Sequence, residues 1–129
     1  MKNNFTSDIA KAKNLGSSHS GSSHWYWQRI SALFLVPLYV WFVLNMINFF
    51  INPESVVAST LYNPFYFLAF LLLVNVTLFH AVLGIRVVIE DYVHGEVLKN
   101  TLLIASYFAT FVTMVTVSFI LIVNFIVNI

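Results

Sequence analysis

The chain has 129 residues, 60% of them hydrophobic and 9% charged, too few charges to cover the water-facing surface of a soluble domain of this size. It contains no cysteine, which excludes disulfides, thiolate metal sites and cysteine-ligated iron–sulfur clusters within the chain. Six Lys and Arg against five Asp and Glu leave a formal net charge of +1, with no dense basic patch, so nucleic acid is not expected as a partner.

Residues 1–24 are polar, rich in Ser, Gly and Asn, and have no apolar core before Trp25. They read as a polar N-terminal segment rather than a cleavable signal peptide. Trp25, Tyr26 and Trp27 follow, amphipathic rings of the kind that settle at a membrane–water interface. The first predicted span covers residues 30–51 without a charged residue; at ~1.5 Å per residue it crosses a hydrocarbon core of ~30 Å. Pro37 lies inside it and is expected to kink the helix. Asn52-Pro53 ends it.

The second span is predicted over residues 64–89, opened by Pro64, a residue suited to the first turn of a helix. A polar link from Glu90 to Asn100 follows. The third span, 101–127, has no ionisable group except Tyr107, and its Ser, Thr and Asn positions suit bonds within a helix bundle, so it is expected to be the packing helix. The expected fold is all-α and integral to the membrane, with residues 25–129 forming a single domain of three transmembrane helices.

Every Lys and Arg (Lys2, Lys11, Lys13, Arg29, Arg86, Lys99) lies in or next to the N-terminal segment or the link between spans two and three, and the loop around Pro53-Glu54 has none. The positive-inside rule therefore puts residues 1–24 and the second link on the cytoplasmic or matrix face, with the first loop and C-terminus outside.

His80 is the one histidine inside a span, where an unpartnered polar group is costly. It reads either as a residue bonded to a neighbouring helix or as an axial ligand of haem iron. At 100° per residue His80, Gly84, Val87 and Asp91 share a narrow stripe, and the missing side chain at Gly84 would admit a flat macrocycle or another backbone. Asp91 stands ~16 Å beyond His80 along the axis. Arg86 can pair with Glu90 at i+4, and Arg29 opens the first span either to fix topology or to meet an acidic cofactor group.

The run from His80 through Gly84 to Asp91-Tyr92-Val93-His94 resembles the second-helix motif of the hydrophobic membrane anchor of succinate dehydrogenase, in the cytochrome b family. Gly16-Ser17 to Ser23-His24-Trp25, followed by Gln28-Arg29-Ile30-Ser31-Ala32, resembles the segment that leads into the first helix of alphaproteobacterial and mitochondrial members. The chain departs from the family at Ser31, where a Thr is usual and the hydroxyl is kept, and the third helix has no motif to compare.

The resemblance implies a subunit, not catalytic alone, of succinate:ubiquinone oxidoreductase, respiratory complex II, which links the tricarboxylic acid cycle to the respiratory chain. Its partners would be a flavoprotein subunit, an iron–sulfur subunit and a second membrane anchor, in a bacterial or mitochondrial inner membrane. Electrons from succinate would pass through the iron–sulfur subunit to ubiquinone. His80 would ligate the iron of haem b, with the second ligand supplied by the companion anchor. Arg29 would lie near the haem propionates, Tyr92 would hydrogen-bond ubiquinone, and Asp91 would belong to the ubiquinone site and its proton path. The alternatives are a haem-free membrane scaffold, or the anchor of a quinol:fumarate reductase or of an unrelated b-type cytochrome.

Overall fold

A computed structural model describes residues 19–128. Its helices are α1 (His19–Ile51), α2 (Pro53–Tyr62), α3 (Pro64–Tyr92) and α4 (Glu96–Asn128), with no strand among the described residues. Lys2, Lys11 and Lys13 of the charge pattern, and most of the polar segment 1–24, lie outside the described residues. Three helices contain stretches long and apolar enough to cross a membrane: Ser23–Ile51, Pro64–Tyr92 and Glu96–Val127.

The helices outrun the apolar stretches that announce them. The first already runs from His19, inside the polar segment. The polar link shrinks to residues 93–95, because α3 continues to Tyr92 and α4 starts at Glu96. Hydropathy marks the hydrocarbon thickness, whereas a helix continues until its backbone meets a breaker or a cap. The first loop is likewise mostly a short helix, α2.

Local chemistry sets these ends. Asn52 precedes Pro53 and stands outside the helical region at φ −137° and ψ 73°, since the proline ring disfavours the α conformation in its neighbour. Pro53 then occupies the first turn of α2, where a missing N–H costs nothing, and Glu54 complements the helix dipole. Asn63 is extended, and its side-chain oxygen accepts from the Phe65 N–H at 2.9 Å, capping α3 with Pro64 at its start. The α1 helix passes through Pro37 as one element, although the ring removes the bond that the Leu33 carbonyl would accept.

Contacts between the long helices are antiparallel. Tyr39 Oη lies 3.1 Å from Thr77 Oγ1, and the rings of Trp41 and Tyr66 meet edge to face at 5.6 Å. Between α3 and α4, Phe67 stacks on Phe125 at 4.3 Å. Asn75 and Ser118 exchange hydrogen bonds of 3.0 and 3.2 Å, and Arg86 Nη1 donates to Tyr107 Oη at 3.4 Å. Arg29, Arg86 and Lys99 therefore share one end of the bundle, and Glu54 stands at the other.

The core is small. Among the described residues only Leu35, Val56, Leu73, Val82 and Leu83 are buried apolar side chains, and Ser31 is the one buried polar residue. No described residue of α4 is buried. Its polar side chains mostly bond their own helix, as Thr101, Ser106 and Thr113 do to preceding carbonyls. Ser118 and Tyr107 bond across to α3, and with the Phe67–Phe125 stack they belong to the most extensive helix–helix contact among the described residues, as expected of a packing helix. Asn75→Leu removes the reciprocal bonds while keeping a γ-branched side chain, and is expected to cost about 1 kcal/mol. Thermal unfolding of the chain in lipid nanodiscs measures this, and an unchanged midpoint would show that the pair carries no stability.

Candidate functional site

The site is built on the inward faces of α1 and α3. On α1, His24, Gln28, Ser31 and Leu35 recur at i, i+4, i+7 and i+11 and so form one stripe. Ser31 and Leu35 are buried, 4% and 7% exposed, which fixes this stripe against the neighbouring helices. The adjoining stripe, Trp25, Arg29, Ala32 and Val36, is turned one residue away and lines a surface cleft of about 570 Å³, together with Gln28, Leu33 and His80.

His80 enters this cleft from α3, and its partner comes from α1: Nδ1 lies 2.9 Å from Ser31 Oγ. The Ser31 hydroxyl also donates to the Gln28 carbonyl at 3.0 Å. The hydroxyl has one proton and a carbonyl only accepts, so whether the His80 bond runs from Nδ1–H to Oγ or from the hydroxyl to Nδ1 follows the imidazole tautomer. Nε2 has no hydrogen-bond partner among the described residues. The sequence alternatives of a bonded histidine and a ligand histidine are thus compatible: one ring nitrogen is bonded within the bundle and the other is left over.

Arg29 is held on the same cleft by Trp25, whose ring centroid is 4.8 Å from the guanidinium carbon. Such a contact contributes roughly 0.5–1 kcal/mol at an exposed site. The expected interface ring at position 25 therefore also orients a cation. Two features of the site were not apparent from spacing: the Ser31 link, formed between residues 49 positions apart, and His24, whose Nε2 is buried without a hydrogen-bond partner.

Gly84 lies one turn beyond His80. A methyl group built there meets nothing within 4 Å, so the chain's own packing does not demand the glycine. Space remains beside the histidine for something outside the chain.

Asp91 and Tyr92 occupy the last turn of α3 and do not line the cleft. Both are exposed, Tyr92 by 78%, and neither makes a side-chain hydrogen bond among the described residues. Arg86 pairs with Glu90 at 2.7 Å, as the i+4 spacing indicates, and adds the bond to Tyr107. This network ties α3 to α4 on a face away from the cleft. The structure thus unites Arg29 and His80 and keeps Asp91 and Tyr92 together at a separate place on the same end.

The model of the family described as succinate dehydrogenase/fumarate reductase transmembrane subunit matches residues 3–122. The succinate dehydrogenase hydrophobic membrane anchor subunit of Rickettsia conorii is 42% identical over 116 residues, covering 89% of this chain and 92% of that protein. The protein of the same name from Rickettsia prowazekii is 39% identical over 100 residues, 78% of this chain and 80% of its own length. The succinate dehydrogenase membrane anchor subunit of Reclinomonas americana is 32% identical over 82 residues, covering 60% of this chain and 67% of that protein. No solved structure matches.

The open space at Gly84 gives a direct check. Gly84→Ala is expected to leave the isolated chain as stable as before, or more stable by up to about 1 kcal/mol, since alanine is the better helix former and meets no neighbour. Circular dichroism in micelles reads this. A fall in the unfolding midpoint would mean that a part of this chain closes on Gly84.

Proposed function

The chain belongs to the succinate dehydrogenase/fumarate reductase transmembrane subunit family, and from that premise we propose that it helps to hold haem b and ubiquinone and to pass electrons from succinate oxidation to the quinone pool. It is a multi-pass membrane anchor subunit of succinate dehydrogenase. The curated relatives carry the succinate dehydrogenase name, which favours that enzyme over the fumarate reductase that the family description also covers.

The observation that carries the haem reading is the pairing of a His80 Nε2 that has no hydrogen-bond partner among the described residues with Arg29 on one cleft. The residues fit a b-type haem: an imidazole lone pair for iron, a guanidinium for a propionate, and at Gly84 an absence of side chain where a flat ring would pass. When bound, the haem would supply one-electron transfer. The chain's part is to present Nε2 from α3, to hold Arg29 in place through Trp25, and to leave the far side of the cleft open. No second histidine faces His80 from within the described spans, so a haem held here would take its other protein ligand from a companion anchor.

Ubiquinone reduction takes up two electrons and two protons. Tyr92 and Asp91 stand at the end of α3 that carries Arg29, Arg86 and Lys99. The positive-inside rule makes that the cytoplasmic or matrix side and puts the C-terminus outside. There the Tyr92 hydroxyl donates to a quinone carbonyl, and Asp91 passes protons from the inner aqueous phase. The flavoprotein and iron–sulfur subunits dock on this face.

Tyr92→Phe removes one donor and nothing else. Succinate:ubiquinone activity of the assembled complex is expected to fall by the equivalent of roughly 1–3 kcal/mol, while the haem spectrum and electron delivery to an artificial dye stay as they were. Equal retention of both activities would remove Tyr92 from the quinone site and leave it an interfacial anchor.

A further inference from the structure

We propose that Ser31 is a positioning residue for His80, acting as the acceptor that fixes the imidazole tautomer and sets how strongly Nε2 donates to a metal. The inference rests on the reading of His80 as a haem ligand and goes beyond it by assigning a role on α1, a helix that supplies no ligand.

The argument starts from burial. Ser31 is the only buried polar side chain among the described residues, 4% exposed. It lies at a depth where an unsatisfied hydroxyl or imidazole N–H is costly. Its oxygen lies 3.0 Å from the Gln28 carbonyl and 2.9 Å from His80 Nδ1. In this arrangement the hydroxyl proton goes to Gln28 and the second contact runs from Nδ1–H to Oγ. Donation to Gln28 also polarises the hydroxyl and makes its oxygen a better acceptor. The relay Nδ1–H to Ser31 to Gln28 is closed within the protein, and only Nε2 is left over.

Two consequences follow. The tautomer with Nε2–H, which cannot bind iron, would leave Nδ1 facing the Ser31 oxygen with no proton between them unless the hydroxyl abandoned Gln28. The relay therefore selects the ligand-competent form and holds the ring plane before any metal arrives. The bond also draws the Nδ1 proton toward oxygen and makes Nε2 a stronger electron donor to a metal, as partners of metal-bound histidines generally do. A stronger donor favours the ferric state, so the Ser31 bond holds the haem potential down.

The test uses the assembled complex and reads the haem rather than turnover. Ser31→Ala is expected to shift the haem midpoint potential upward and to lower haem retention, because the ring loses its acceptor and is free to rotate and change tautomer. Ser31→Thr keeps the hydroxyl and is expected to keep the wild-type potential. Should the alanine chain not assemble, Ser31→Cys fills the space with a poor acceptor and is expected to give a smaller upward shift. His80→Tyr run in parallel separates the two layers of the reading. A changed spectrum in His80→Tyr with an unchanged potential and haem content in Ser31→Ala, or in Ser31→Cys where that variant stands in, overturns the Ser31 role alone. A threonine variant shifted as far as the alanine one overturns it too, since the hydroxyl would then be irrelevant. An unchanged spectrum in His80→Tyr overturns the ligand reading and the Ser31 role with it.

Discussion

In hydrocarbon a polar group has no water to fall back on, so each one within a span must find its partner inside the protein. Most hydroxyls and amides here take the nearest solution and bond the preceding turn of their own helix, as Asn45 does to Trp41 and Thr113 to Ala109. Such bonds satisfy the group and tie nothing together. The few that cross between helices consequently set the arrangement: Ser31 with His80, Tyr39 with Thr77, Asn75 with Ser118, and Arg86 with Tyr107. They join α1 to α3 and α3 to α4, which makes α3 the shared element. The candidate site residues His80, Asp91 and Tyr92 sit on that helix, the one held from both sides.

The long apolar runs made the three helices legible in the sequence, and the i+4 spacing made the Arg86–Glu90 pair legible. The demand that His80 have a partner was legible as well, since burying an imidazole alone is expensive. The identity of that partner was not. A serine on α1 is one hydroxyl among many, and only the antiparallel register brings residue 31 to residue 80. The same limit hid the second duty of Trp25: interfacial tryptophans are common, and periodicity does not reveal which of them has an arginine one turn on lying over its ring. The ends of the elements were missed for another reason. Apolar runs report the thickness of the bilayer, whereas the cap at Asn63 and the prolines at 53 and 64 report where the backbone can turn.

Polar composition and full burial do not go together in α4. Its Ser and Thr side chains suggested a helix seated in the bundle, yet no described residue of it is buried. Ser and Thr bonded to their own helix are tolerated against lipid or against a neighbouring protein, so their presence does not say which way a face is turned. What distinguishes the contacting side is a partner of matching chemistry at the right height. Phe125 meets Phe67, Ser118 meets Asn75, and Tyr107 meets Arg86.

A chain built this way is incomplete on one side. The cleft holding His80 and Arg29 is open, and Gly84 leaves space that nothing in the chain enters. On the proposed reading, a metal centre carried between two chains would face the free ring nitrogen with one ligand from each, and the buried serine would fix the other nitrogen. Asp91 and Tyr92, about 16 Å along the same helix, would need the opposite surroundings, since protons would have to reach them from water. Two groups on one helix, at different depths, would then let a single rigid element serve a dry electron site and a wet proton site at once.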